Sequence, residues 1–280
     1  MNDNYYSPQK FSILPPVVKN LLIINGLFFL ATIGFQRTMH IDLYDILGLH
    51  YFESEKFHPY QFITYMFMHG DLGHLFFNMF ALWMFGSAIE NYWGGKRFLI
   101  YYLLTGLGAG LTHYGVLMWQ LAPQLQYIDA CIANPDANTV QALLQHHQFR
   151  QDLLVDSAAF KENLYNIQMG YNVNEAKTYI NNYLIDYREA LVGGYNIVGA
   201  SGSVFGLLLA FGMMFPNSLI FIYFLFPIKA KWFVVVYGAL ELFYGITGTA
   251  DGIAHFAHLG GMVFGLLIIL YWKKKGTLYN

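Results

Sequence analysis

Residues 197–215 read IVGASGSVFGLLLAFGMMF, a stretch without a single charged side chain. A helix that crosses the ~30 Å hydrocarbon core of a bilayer needs about 20 residues, so this segment is long enough to span a membrane. Near its start lie Gly199, which is small, and Ser201, which carries a polar hydroxyl. Polar groups inside membrane helices are costly and are often functional. The stretch therefore predicts a membrane fold and places a candidate polar site at one end of a span.

The composition of the whole chain agrees with this reading. Only 32 of its 280 residues are charged (15 basic and 17 acidic), which is 11%, whereas a soluble domain has roughly 25%. Apolar residues make up 56%. A net charge of -2 and the lack of a basic stripe exclude a nucleic-acid binder, and the single cysteine, Cys131, excludes a disulfide scaffold. The apolar stretches are long and continuous, which favours helices over an outer-membrane barrel.

Six segments are candidate membrane spans, and we expect an all-α membrane protein built as a six-transmembrane-helix bundle. The segments are 17–35, 72–89, 98–119, 197–215, 232–248 and 253–272. Nine basic residues flank these spans on one side, and six lie in the longer loops of the other side. Basic residues concentrate in short cytoplasmic loops. We therefore expect both termini to be cytoplasmic, in a multi-pass protein of a bacterial inner membrane.

The segment 120–194 differs from the rest of the chain. It carries eight acidic and four basic residues, and the spacing of its apolar residues predicts amphipathic helices over 139–167 and 174–191. We expect a helical extracytoplasmic insertion between the third and fourth spans, which divides the chain into 1–119, 120–194 and 195–280. The pair His146 and His147 has no third ligand at useful spacing, so we interpret it as a solvated helix surface.

Ser201 and His258 form the first candidate pair for chemistry. Glycines beside a serine in a membrane helix more often serve packing than catalysis, so the Gly-x-Ser-Gly pattern is weak by itself. Each candidate nevertheless lies next to a small-xxx-small pair, which lets helices approach closely. The pairs are Gly202 with Gly206 in the fourth helix and Gly261 with Gly265 in the sixth. A histidine within reach of a serine hydroxyl can take its proton during nucleophilic attack.

His74 and Asn78 are four residues apart and project from one face of the second helix. Asn is a poor zinc ligand, so this pair suits hydrogen-bond donation to an oxyanion better than a metal site. His69 lies just upstream. For His255 we favour a packing or interfacial role. Asp251 is a weaker candidate for a third triad member, because it is expected in the loop before the sixth helix.

Together these motifs resemble the rhomboid intramembrane serine proteases. The resemblance rests on His69-x4-His74-x3-Asn78, on Gly199-Ala200-Ser201-Gly202, and on Ala257-His258-x2-Gly261-x3-Gly265. It covers the six-helix body and omits the insertion. In this family the substrates are single-span membrane proteins, cut in or near the transmembrane segment within the lipid bilayer. We expect no cofactor, no metal and no nucleic-acid partner, and the oligomeric state is left open.

The resemblance also implies a role for each matched residue. Ser201 would be the nucleophile and His258 the general base of a Ser–His dyad. His74, Asn78 and the backbone N–H of Ser201 would form the oxyanion hole. His69 would support the site, and Gly199 would let the substrate chain approach it.

Two positions depart from the family pattern. Many members have Trp-Arg in the first loop, where this chain has Pro59-Tyr60-Gln61-Phe62. Many also have Tyr four residues after the serine, where this chain has Phe205, which keeps the ring and loses the hydroxyl.

Two other functions fit parts of the sequence. A catalytically inactive rhomboid-fold protein would bind membrane clients, but such members lose the serine or the histidine. A transporter or channel could use the histidines as a proton or metal path, but it predicts inverted repeats that are not seen between the two halves.

Overall fold

The computed structural model describes residues 11–146, 157–222, 225–248 and 254–278. In this part the chain is mostly helical. The helices are α1 (Pro16–Met39), α2 (Leu43–Leu47), α3 (Gln61–Thr64), α4 (Leu72–Ala81), α5 (Ser87–Trp93), α6 (Gly95–Ala133), α7 (Ala137–His146), α8 (Ser157–Met169), α9 (Val173–Gly193), α10 (Ser201–Met214), α11 (Ala230–Thr247) and α12 (His255–Lys274). The strands are β1 (Leu49–His50), β2 (Asn196–Ile197), β3 (Leu219–Ile222) and β4 (Phe226–Lys229).

Three helical stretches of the described residues are long and apolar enough to cross a bilayer. They are Pro16–Met39, Leu72–Trp93 and His255–Lys274. The second combines α4 and α5, which a π-helical turn at Leu82–Gly86 joins into one rod. Helix α10 is apolar but has only 14 residues. The protein is thus embedded in a membrane, and the count of six spans stays a prediction.

The expectation of a purely helical chain needs one correction. Strands β3 and β4 form an antiparallel hairpin in which Leu219 lies opposite Lys229. The segment is rich in Ile and Phe, which favour strands. Pro227 has no N–H to donate, which a strand tolerates at an edge. Periodicity alone identifies this segment only as too short to span the membrane.

Helix α6 is longer than the predicted third span. It continues without a break from Gly95 to Ala133, with Pro123 inside it, although the sequence prediction ended the helix at residue 119. In the predicted insertion, α9 corresponds to the second amphipathic helix, while α7 and α8 lie in the region of the first. Residues 147–156, which include His147, lie outside the described residues, as does the side chain of His146.

The chain forms two compact units. The first contains residues 1–49, 59–113 and 197–280, and the second contains 50–58 and 114–196. The second unit has its own apolar core, which includes Leu121, Ile128, Ile180 and Leu184. At its surface, the Arg188 guanidinium donates to Asp129 over 2.6 Å and also pairs with Glu53.

The first unit is held together by close helix contacts. Helices α10 and α12 pack so tightly that a Cβ atom at Gly261 would lie 1.9 Å from the carbonyl oxygen of Gly202. The buried Tyr101 hydroxyl donates to the Gly206 carbonyl over 2.8 Å and fixes α6 against α10. The small-xxx-small pattern of the sequence predicts this close approach.

A carboxylate joins the start of α1 to α5. The first N–H groups of a helix have no partner within the helix. In α1, Val17 and Val18 donate these groups to the two oxygens of buried Glu90, over 2.9 and 2.7 Å. The negative charge also interacts favourably with the positive end of the helix dipole.

Candidate active site

Ser201 and His258 lie in hydrogen-bond contact. Ser201 is the first residue of α10, and His258 lies one turn into α12. The Oγ atom of Ser201 is 2.8 Å from Nε2 of His258. The glycine contact between the two helices brings their starts together, so the pairing follows from packing that the sequence predicts. His258 is buried, and Ser201 is half-buried.

A third residue, Glu241 of α11, contacts the other nitrogen of His258. Its Oε2 atom lies 2.9 Å from Nδ1 of His258. A carboxylate only accepts hydrogen bonds, so Nδ1 carries the proton and donates it to Glu241. In a neutral imidazole, Nε2 is then unprotonated and accepts from the hydroxyl of Ser201. The carboxylate thereby sets the tautomer in which His258 can act as a base.

Sequence reasoning missed Glu241, although the sequence holds a signal for it. Glu241 is the only acidic residue between positions 230 and 248, and an ionisable side chain inside an apolar segment marks a functional site by default. The residue considered instead, Asp251, lies outside the described residues. The dyad implied by the resemblance is thus extended in the structure to three hydrogen-bonded side chains.

His255 shares the same carboxylate. Its Nδ1 atom lies 2.7 Å from Oε2 of Glu241, the oxygen that also contacts His258. The interpretation of His255 as a packing histidine is therefore too simple, because its ring is a polar neighbour of the candidate base.

Phe205 stacks on His258. The ring centroids are 4.1 Å apart and the planes differ by 5°. The aromatic contact expected one turn after the serine is therefore present with Phe in place of Tyr. It holds one face of the imidazole while Glu241 and Ser201 hold its two nitrogens.

Gly199 places His74 beside the serine. Its backbone has a φ of +129°, which disfavours side chains, and a Cβ atom there would lie 2.8 Å from Nε2 of His74 and 3.7 Å from Oγ of Ser201. The N–H of Gly199 donates to the Tyr65 carbonyl over 2.9 Å. The absent side chain leaves room for the imidazole of His74 next to the nucleophile candidate.

Asn78 and His69 surround His74. The buried Asn78 amide donates to the His74 carbonyl over 2.9 Å, and Asp71 caps the start of α4 by accepting from the His74 N–H over 2.8 Å. The ring of His69 meets that of His74 edge-on, with centroids 5.1 Å apart. His69 lies before α4, and burial together with His74 lowers its pKa to about 4.

The loop that departs from the family pattern is anchored by Gln61. This buried side chain donates from Nε2 to the Ile46 carbonyl over 3.2 Å, and Thr64 donates to the Leu47 carbonyl over 2.7 Å. Neutral hydrogen bonds to the backbone therefore hold the segment where many members place Trp-Arg.

Comparisons with known proteins agree with the geometry. The family model of the Rhomboid domain matches residues 56–120 and 174–275. Rhomboid-like protein 11, chloroplastic, of Arabidopsis thaliana is 32% identical over 95 residues, which cover 33% of this chain and 34% of that protein. Rhomboid protease GluP of Bacillus subtilis is 34% identical over 55 residues, or 20% of this chain and 11% of that protein.

A further relative is Rhomboid-like protein 15 of Arabidopsis thaliana, which is 27% identical over 105 residues, or 38% of this chain and 25% of that protein. The matched part is thus at most 34% of the length of these curated relatives. The family model, in contrast, covers more than half of this chain, including all the side chains of the candidate site. The chain therefore belongs to the rhomboid family.

Proposed function

We propose that this protein is an intramembrane serine endopeptidase that cleaves single-span membrane proteins in or near their transmembrane segment. The observation that carries the proposal is the chain of contacts from Ser201 Oγ to His258 Nε2, at 2.8 Å, and from His258 Nδ1 to Glu241, at 2.9 Å. A serine is a weak nucleophile until an adjacent base removes its proton. An inactive client-binding member has no need of this arrangement.

In the first chemical step, Oγ of Ser201 attacks the carbonyl carbon of the scissile peptide while Nε2 of His258 takes the hydroxyl proton. The imidazolium that forms is stabilised by the carboxylate of Glu241. The tetrahedral intermediate collapses when the C–N bond breaks, and His258 gives its proton to the leaving amine. Water then hydrolyses the acyl-enzyme with His258 again acting as the base.

The oxyanion of the intermediate is stabilised by hydrogen-bond donors around Ser201. The backbone N–H of Ser201 lies at the start of α10, where helix N–H groups have no partner within the helix. We assign the imidazole of His74 as a second donor, because it lies against Gly199 and beside Ser201. Asn78 lies one turn further along α4, where its amide donates to the backbone carbonyl of His74, and it is the third candidate donor.

The finer architecture belongs to the same proposal. Six spans with both termini in the cytoplasm would place the starts of α4 and α10 on the outer side, where water and substrate arrive. Residues 120–194 would then form an extracytoplasmic insertion, which contains the unmatched gap of the family model between residues 120 and 174 and the first part of its second matched segment. A bacterial inner membrane is the proposed location, which fractionation of the native cell would test.

The covalent mechanism is tested by labelling with a fluorophosphonate probe. The wild-type protein should be labelled, and Ser201→Ala should not. Ser203→Ala is a matched control, because this buried hydroxyl in the same helix donates to the Tyr102 carbonyl of α6 over 2.8 Å. Equal labelling of wild type and Ser201→Ala would refute the proposal. Membrane proteomics of the same pair would then identify substrates as uncut single-span proteins.

A further inference from the structure

We propose that Glu241, His255 and His258 bind a Zn²⁺-class divalent ion that switches the protease off. The inference rests on the proposed function, since it describes regulation of the same site. It starts from the observation that the two imidazoles, each through Nδ1, share one carboxylate oxygen of Glu241. Two histidines and one carboxylate are a ligand set that zinc prefers, and a fourth position stays open for water.

The separations of the three ligand atoms are close to those found around a bound zinc ion. The ligand atoms of the three side chains all lie within 4.8 Å of one another. In a tetrahedral zinc site, bonds of about 2.0–2.2 Å place neighbouring ligand atoms roughly 3.3 Å apart. The present Nδ1–Oε2 separations are 2.7 and 2.9 Å. Outward shifts of about half an ångström would admit the ion.

The surroundings favour capture of a cation. All three side chains are buried, with exposed fractions of 7–11%. Ionised Glu241 supplies a negative charge, and each of the two imidazoles supplies one nitrogen lone pair when its Nδ1 is unprotonated. Glu241 lies on α11 while His255 and His258 lie one turn apart at the start of α12, so the ion would join two helices. Imidazole ligands select Zn²⁺, Cu²⁺ or Ni²⁺ over Mg²⁺ and Ca²⁺.

Metal binding and base catalysis exclude each other through the tautomer of His258. Without metal, Nδ1–H donates to Glu241 and the lone pair of Nε2 accepts from Ser201. With metal on Nδ1, the imidazole stays neutral and its proton moves to Nε2. The Nε2–H group then donates to Oγ of Ser201. Because Nε2 is protonated, it has no free lone pair with which to accept the hydroxyl proton of Ser201. The serine therefore loses its base although the ligand side chains shift by only about half an ångström.

The binding test uses Ser201→Ala, which needs no activity. The protein is purified in detergent, treated with a chelator and titrated with Co²⁺, whose visible absorption reports tetrahedral coordination. We expect one ion per chain, displaced by Zn²⁺ and not by Mg²⁺. The additional substitution His255→Gln should weaken binding at least tenfold. His40→Asn is the matched control, because it removes an exposed histidine at a left-handed residue where Asn is favourable.

The activity test uses the otherwise wild-type chain. Zn²⁺ should block fluorophosphonate labelling and substrate cleavage, and a chelator should restore both. His255→Gln should still be labelled without metal and should resist Zn²⁺ at concentrations that block the wild type. If this variant does not fold, His255→Asn replaces it.

Absence of a Co²⁺ spectrum, or binding and inhibition unchanged by His255→Gln, would overturn the inference. A wild type that is never labelled at any metal concentration but binds Co²⁺ would instead refute the protease function and leave the metal site standing.

Discussion

The ring of Phe205 lies flat on the imidazole of His258, with centroids 4.1 Å apart. Replacing Phe205 with Ala frees one face of His258. An aromatic pair contributes about 0.5–1.5 kcal/mol, so we expect kcat to fall by up to about tenfold. Phe205→Tyr keeps the stack and should retain activity. Cleavage of a single-span reporter measures both, with exposed Phe243→Ala as the control. Equal activity of Phe205→Ala and wild type would mean that the stack does not position the base.

Gly199→Ala should strongly reduce cleavage without unfolding the protein. The new Cβ would lie 2.8 Å from the His74 ring at a φ of +129°, so either the backbone or His74 must move. Because loss of one oxyanion donor costs about 10²–10³ in kcat, we expect a loss of at least about 10². Gly26→Ala in α1 meets no atom within 4 Å and is the control. A Gly199→Ala variant with normal kcat would argue against His74 as a donor.

Gly261→Ala should lower stability before it affects chemistry. Its Cβ would lie 1.9 Å from the Gly202 carbonyl oxygen, and overpacking costs typically about 1–3 kcal/mol. Thermal unfolding in detergent is the measurement. Gly34→Ala has open space around it and should be neutral or stabilising by up to about 1 kcal/mol. Similar melting temperatures for the two variants would show that α10 and α12 can separate without cost.

Glu241→Gln should reduce kcat and leave KM nearly unchanged. The amide can accept from Nδ1 of His258 but carries no charge to stabilise the imidazolium. We expect a fall of at least about tenfold, since the carboxylate acts only when charge develops in the transition state. Glu162→Gln, on α8 of the second unit, is the matched control. An unchanged kcat for Glu241→Gln would return the mechanism to a dyad.

Acid should destabilise the protein through His69. The pKa of this residue is about 4 in the folded chain against 6.5 in the unfolded one, so the unfolded state binds the proton first. Stability is then full above pH 6.5 and declines as the pH falls toward 4, by about 3 kcal/mol at 1.36 kcal/mol per pKa unit. Unfolding measured from pH 7 to 4 should be less steep in His69→Asn. The same slope in both proteins, with His40→Asn as reference, would contradict this origin.

The parts of the site that could be predicted depend on local patterns. Ser201 and His258 stand out because they lie beside glycine pairs that imply close helices. The first residue of α10 is harder to predict, because hydropathy contains no information on backbone conformation. Gly199 is apolar enough to belong to the span, but its φ of +129° lies outside the helical region. Glu241 is brought to His258 only by the packing of α11 against α12, and no spacing rule links positions 17 residues apart on different helices. The hairpin after α10 was missed because a short apolar run has no unique period.

The contact of Glu90 with Val17 and Val18 has a mechanical consequence. Two hydrogen bonds to the first N–H groups of α1 prevent this helix from sliding along the rod of α4 and α5. Membrane proteins meet bilayers of different thickness by tilting, by moving individual helices or by deforming the lipid. Because α1 cannot change its depth independently, we expect the protein to adapt to a thicker or thinner bilayer by tilting the whole first unit or by deforming the surrounding lipid.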